Sequence, residues 1–261
     1  MVERSGDRVL IEGPSKGRVR AFRVIAAIMA ASAVAFGLFT AVLGFVSEAQ
    51  EIHAFHNVVV ASLLLVLSAP PAIAAARAPE RAAAPLLHLV MLGVAGVVTM
   101  AVALMIDVFT LPFIVLAAVL LLLRVPREPF LGAGRPSIPL AVLVAVAAVP
   151  LLGYALDQAE LQRLDATSEH AELNHWVEVS FYAAAVPLLG ALAAIRPRAF
   201  RMSAWSSGVA LALMGGGSLL LPSYASALDP PWAWAALLGA LVFLGVAEWE
   251  ARRTTAPRPA I

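Results

Sequence analysis

The sequence predicts an all-α, polytopic integral membrane protein of about eight transmembrane helices, built as two tandem four-helix repeats. Three observations predict it. Of 261 residues, 61% are hydrophobic and only 13% charged, a balance that an ordinary soluble domain does not carry. Apolar runs close to spanning length recur along the whole chain. Landmarks of the second half also repeat those of the first at a nearly constant offset. The runs lack the polar/apolar alternation of a membrane barrel, so the backbone must satisfy its polar groups as helices.

The first run, at 22–46, is longer than the 7–15 residue apolar stretch of a secretory signal and reads as a retained helix. The second, 57–76, contains Pro70 and Pro71, which predict a kink. The third, 83–106, carries His88 and the small pair Gly93 and Gly96, and the fourth is 108–123. A segment rich in Pro, Gly and Arg follows, from Arg124 to Ser137, and reads as a linker. The remaining runs are 138–157 with Pro150, 175–195 with Pro187, 203–222 with Gly215, Gly216 and Gly217, and 231–248. Small faces of this kind let helices approach closely or leave room for a bound lipid or ring system. The domains expected are a cytoplasmic tail 1–22, a first repeat 23–124, a linker 125–137, a second repeat 138–250 and a cytoplasmic tail 251–261.

The offset supports the duplication. His56 and His175, Arg77 and Arg196, and Pro112 and Pro231 each stand 119 residues apart, and Asp107 and Asp229 stand 122 apart. Four helices per copy return the chain to its starting side, so the copies would be related by an axis along the membrane normal. With eight crossings, all the lysines and arginines but Arg163 fall on one side, which the positive-inside rule makes cytoplasmic, with both termini. The outer side then gathers ten carboxylates, which disfavours nucleic acid and favours cations. Trp205, Trp232, Trp234 and Trp249 near helix ends read as interfacial anchors.

The chain has no cysteine, which removes disulfides, thiolate metal sites, iron–sulfur clusters and thiol catalysis. Any metal ligand must therefore be a histidine, a carboxylate or a carbonyl. Two polar clusters stand at matching outer positions: Glu48, Glu51, His53, His56 and Asn57, and Glu169, His170, Glu172, Asn174, His175 and Glu178. On a continuous helix His53, His56 and Asn57 share a face, as do Glu169, Glu172, His175 and Trp176. Glu172 and His175 form a Glu-x-x-His pair, a spacing that presents a carboxylate and an imidazole to one metal. His53, His56, Glu51, Glu172 and His175 are accordingly the candidate metal ligands, with His56 and His175 the principal pair. Glu178 lies about one turn inside an apolar run, where a carboxylate is costly and signals a proton donor or a cation ligand. Glu178, Glu172, Asp107 and Asp229 are the candidate catalytic acids, although the two aspartates read first as caps of short outer turns and only then as completing the clusters. Glu51, Glu169 and Glu172 also suit solvated helix N-termini. His88, in the cytoplasmic half of its run and without a counterpart, reads as hydrogen-bonded inside the bundle.

Two tandem four-helix bundles with cytoplasmic termini, and a Glu-x-x-His at the outer start of a repeat's second helix, resemble the heme A synthase family. The resemblance implies heme held by His56 and His175, with Glu172 as the motif glutamate in oxidation chemistry. The fourth and eighth runs contain no histidine, Asn57 and Trp176 replace the basic residue after the motif histidine, and a cysteine pair is absent from the first outer loop. The resemblance thus implies a duplicated membrane protein holding heme or a divalent metal near its outer surface, not heme A synthesis itself.

Three functional expectations follow. The first is a metal or heme protein, extending to a redox enzyme on a lipid-soluble substrate. The second is a metal-independent membrane enzyme, a prenyl-type cyclase or isomerase using Glu178. The third is a cation or small-metabolite transporter, opposed by an inner half whose spans hold little that ionises besides His88. Membrane lipid is a partner under each, and a subunit role in a larger membrane complex is a fourth alternative.

Overall fold

The structure is a computed structural model that describes residues 13–46, 53–130, 135–165, 167–195 and 199–255. These residues form helices and turns with no strand among them. We number the helices α1 (Lys16–Val46), α2 (Ala54–Arg77), α3 (Ala83–Ala103), α4 (Leu111–Leu122), α5 (Ile138–Leu164), α6 (Glu169–Glu172), α7 (His175–Ala194), α8 (Phe200–Leu220) and α9 (Pro230–Thr255).

Six of them, α1, α2, α3, α5, α7 and α9, are long and apolar enough to cross a membrane. Two of the expected eight fall short for separate reasons. Twelve residues of α4 reach about 18 Å at 1.5 Å per residue, against a hydrocarbon core of about 30 Å. The 21 residues of α8 are long enough, but Arg201, four serines and four glycines dilute the helix.

The helices sort into a centre and a rim. Eight of the 20 residues of α7 are alanine, serine or glycine, so neighbours approach it closely and its apolar window is 89% buried. In contrast α1, α5 and α9 turn large side chains outward, among them Phe36, Phe39, Val146, Val149 and Leu241, as lipid-facing surfaces do. Tyr182, fully buried on α7, donates to the Ala210 carbonyl at 2.6 Å and accepts from Ser62 Oγ at 2.8 Å. One hydroxyl therefore ties α7 to both α8 and α2.

The prolines of α2 produce a defined defect. Pro70 and Pro71 have no N–H, so the carbonyls of Val66 and Leu67 lose their α-helical donors. The helix widens to a π turn over Leu63–Ser68, and His88 of α3 supplies the missing donor, Nε2 to the Leu67 carbonyl at 2.9 Å. That bond leaves Nδ1 as the acceptor for Ser203 Oγ at 3.0 Å. His88 is thus the internal hydrogen bonder that its position predicts.

The helix ends meet in two groups. Arg18 of α1 donates to the Leu123 carbonyl beyond α4, and Arg127 pairs with Glu80 between α2 and α3 at 3.6 Å. Ser137 before α5 donates its N–H to the Ala194 carbonyl of α7 at 2.7 Å and its hydroxyl to Glu250 of α9. The α2, α6 and α7 starts come together at the opposite end, where the histidines lie.

Candidate metal centre

Two elements build the site. His53 stands at the N-cap position of α2, its ring free of any capping bond, and His56 follows on the first turn. On the other side, Ser168 Oγ caps the single turn α6 by accepting the Ala171 N–H at 3.2 Å. Asn174 then turns left-handed at φ 64°, a conformation asparagine tolerates better than most residues, and α7 starts afresh at His175. The break swings α6 across the start of α7, held by Gln162 Nε2 of α5 donating to the Ala171 carbonyl at 2.8 Å.

The consequence is a knot of four imidazoles. The His53 and His175 rings lie 4.5 Å apart at 79°, His53 and His170 4.8 Å apart at 56°, and His170 and His175 5.5 Å apart at 87°. His56 instead lies flat on His175, with centroids 3.6 Å apart and planes 23° from parallel. His170 is backed by Trp176, stacked at 5.0 Å. Two sets of three groups bring a ligand atom each within 4.8 Å of one another: His53, His170 and His175, and His56, His175 and Glu178.

Carboxylates orient the rings. Glu178 Oε2 lies 2.8 Å from His56 Nε2, and Glu169 Oε1 lies 3.4 Å from His53 Nε2. A carboxylate that takes Nε2–H leaves Nδ1 with its lone pair, the arrangement that metal-ligating histidines use. The Nδ1 atoms of His53, His56 and His175 are all buried without a partner, as are Asn57 Nδ2 and Trp176 Nε1. Orphaned polar atoms are rare in folded proteins, and here five share one place. Burial, and after it His53, holds the His170 ring below its usual pKa, opposed by Glu169 and Asp165. The neutral, ligating form of that ring is favoured.

The structure sorts the sequence candidates. It brings together His53, His56, His175 and Glu178, and places Asp107 beside them. Asp107 caps the turn before α4, its carboxylate accepting the N–H groups of Phe109 and Thr110 at 3.1 and 2.9 Å, and Asn174 Nδ2 lies 3.5 Å away. Glu172 stays exposed, because the turn at Asn174 parts it from His175, so the two do not share a helix face. Asp229 precedes α9 and lines a separate cavity in the second half. Glu51, with Glu48, lies outside the described residues. His170 and Glu169 take the places that a continuous helix would give to Glu172. The only sequence signal for this is the pairing of a Ser168 cap with an asparagine six residues later.

The geometry also tests for heme. Iron between two axial imidazoles needs their nitrogens about 4 Å apart with the porphyrin between the rings, from bonds of about 2 Å each. Rings stacked at 3.6 Å leave no such space, so His56 and His175 as arranged do not fit an axial pair. No family model matches this chain, and neither curated proteins nor solved structures are similar to it.

Proposed function

We propose that this chain is a multi-pass membrane protein that binds one transition-metal ion at its outer face, through His53, His170 and His175. The observation that carries the proposal is the mutual inclination of those three rings beside the unpartnered, buried Nδ1 atoms of His53 and His175. An imidazole binds a metal in its own plane, so rings inclined to one another, with a ligand atom each within 4.8 Å, can share one ion, whereas the nearly parallel planes of His56 and His175 do not meet between the rings. Neutral imidazoles suit zinc, copper, iron or nickel, and three of them leave a fourth position for water or substrate. The His56–Glu178 pair lies against His175, where it would orient that ring and move a proton. Redox chemistry on a lipid-soluble substrate belongs to this reading if the ion is copper or iron.

We further propose the eight-crossing, duplicated architecture with both termini cytoplasmic, α8 crossing largely buried among its neighbours and the short α4 crossing at the rim with the turns that flank it. Helix packing supports it. In the first half α1 packs on α2 and α4, and α3 on the same two; in the second, α5 packs on α7 and α9, and α8 on those two. Between the halves α3 meets α7 while α2 meets α8, the exchange that a two-fold relation produces. The His88 to Leu67 hydrogen bond recurs as Ser207 to the Val186 carbonyl, donor and acceptor both 119 residues on. Gly96 admits α4 at Ile114 as Gly215 admits α9 at Ala236. The likeness to heme A synthase is retained only as a likeness of architecture and of ligand position.

Metal analysis of the purified protein tests the site. After loading with Zn2+ or Co2+ and desalting, about one ion per chain is expected, with visible Co2+ bands of a nitrogen-rich site and no heme absorption. His175→Ala should abolish retention and His56→Ala only weaken it. Wild-type protein that retains no ion would sink the proposal.

A further inference from the structure

The second half contains a cavity of about 800 Å³ between α5, α7, α8 and α9, and the histidine cluster and Glu178 do not line it. Its polar and apolar groups are segregated. Along α5 it runs from Leu143 to Asp157, and along α9 from Asp229 to Phe243, in each case about 21 Å at 1.5 Å per residue. The outer end holds two carboxylates, Asp157 and Asp229, and no lysine or arginine lines any part of it. The rest is apolar apart from Tyr154 and Ser207, whose hydroxyls donate to the carbonyls of Ser226 and Val186. Val146 and Val149 line the cavity and are also 70% and 77% exposed on the rim, so it opens sideways to the lipid-facing surface.

We propose that this cavity binds a long-chain amphiphile with a cationic amine head, its chain along α5 and α9 and its head between Asp157 and Asp229. The two aspartate side chains make no ion pair or hydrogen bond among the described residues, so both charges are available to a ligand. Both carboxylates are exposed at that end, where an anionic head would meet only like charge and a cationic amine is attracted. A slot of about 21 Å exceeds half of a hydrocarbon core of about 30 Å, a depth that suits one extended chain entering from the outer leaflet. Glycines keep it open: a Cβ built on Gly153 or Gly239 meets nothing within 4 Å, so a larger side chain at either position would occupy the slot rather than the protein. The proposal is independent of the metal centre.

Trp232 lines the cavity and reports on it. In nanodiscs of zwitterionic lipid, a brominated long-chain alkylamine should quench tryptophan fluorescence saturably, and Trp232→Phe should remove that component. The brominated fatty acid of equal length should show only the linear quenching of bilayer partition. Asp157→Asn with Asp229→Asn should weaken amine binding about tenfold, as expected for two partly solvated ion pairs. Gly239→Leu should abolish saturation without altering thermal unfolding or metal content; Gly153→Leu replaces it if that variant does not fold. Saturable binding of acid and amine alike, quenching that never saturates, or full affinity in the folded glycine variant would each overturn the proposal.

Discussion

Replacing His88 by alanine tests how the fold accommodates two consecutive prolines. The side chain is fully buried and makes two hydrogen bonds, Nε2 to the Leu67 carbonyl at 2.9 Å and Nδ1 from Ser203 at 3.0 Å. Side-chain hydrogen bonds between membrane helices are worth about 0.6–1.7 kcal/mol each, so the pair contributes about 1–3 kcal/mol. Alanine also leaves the Leu67 carbonyl without a donor and a void where the ring was, and each adds about 1 kcal/mol. The sum is about 3–5 kcal/mol, measurable by reversible unfolding in mixed micelles. His88→Gln retains a donor and an acceptor and should recover about half of the loss, whereas His88→Leu, which restores volume but no donor, should recover less. If alanine costs under about 1 kcal/mol, or if leucine rescues better than glutamine, the π turn does not depend on His88 and the account of Pro71 is wrong.

Two further outcomes follow from the same geometry. Gly215→Ala places a Cβ 2.5 Å from the Ala233 carbonyl oxygen and 2.9 Å from the Leu237 nitrogen, backbone atoms that cannot yield, so unfolding should show a loss of about 1–3 kcal/mol; Gly216→Ala next to it meets nothing within 4 Å and should be neutral or gain up to about 1 kcal/mol from helix propensity. The depressed His170 pKa sets a pH dependence: above about 6.5 the ring is neutral folded and unfolded and contributes nothing, and below it the unfolded chain takes up a proton that the fold resists, so metal-free protein should lose stability as the pH falls. His170→Gln should flatten that slope in thermal melts at pH 5 to 7.5, and an unchanged slope would show that His170 titrates freely.

Much of the architecture was legible because lipid leaves few choices. Apolar runs in so biased a composition had to be helices, and their edges moved only where other physics intervened. The first helix begins at Lys16, ahead of its apolar run, since basic side chains can extend toward water while their stems pack. The third stops at Ala103 because Leu104 turns left-handed at φ 56°, which hydropathy does not register. Pro70 and Pro71 announced a defect, but its form, a π turn closed by a side chain 21 residues on, depends on a tertiary neighbour. The site was half legible. His56 and His175 were singled out by recurrence and do meet. A helix unbroken through Asn174 would put Glu172 beside His175, and the left-handed turn at Asn174 instead places His170 there.

The proposed repeat accounts for the asymmetry of the cluster. A residue close to a two-fold axis meets its own counterpart, and under that repeat the flat contact of His56 on His175 would be such an encounter. Glu178 lies 119 residues beyond Val59, which is buried at the matching place on α2. Had both copies kept a carboxylate there, two like charges would face each other beside the axis, out of water and with only the histidines beside them. Covalent duplication lifts that constraint, because the halves of one chain can diverge where two copies of a shorter chain cannot. One half supplies the buried acid and the other the apolar wall. The same freedom applies one turn earlier, where Ser168, Glu169, His170 and Asn174 build a capped, broken turn that carries a third imidazole to His53 and His175. A symmetric pair of histidines thereby becomes an inclined set of three, and that conversion separates a stacking contact from a site able to hold an ion.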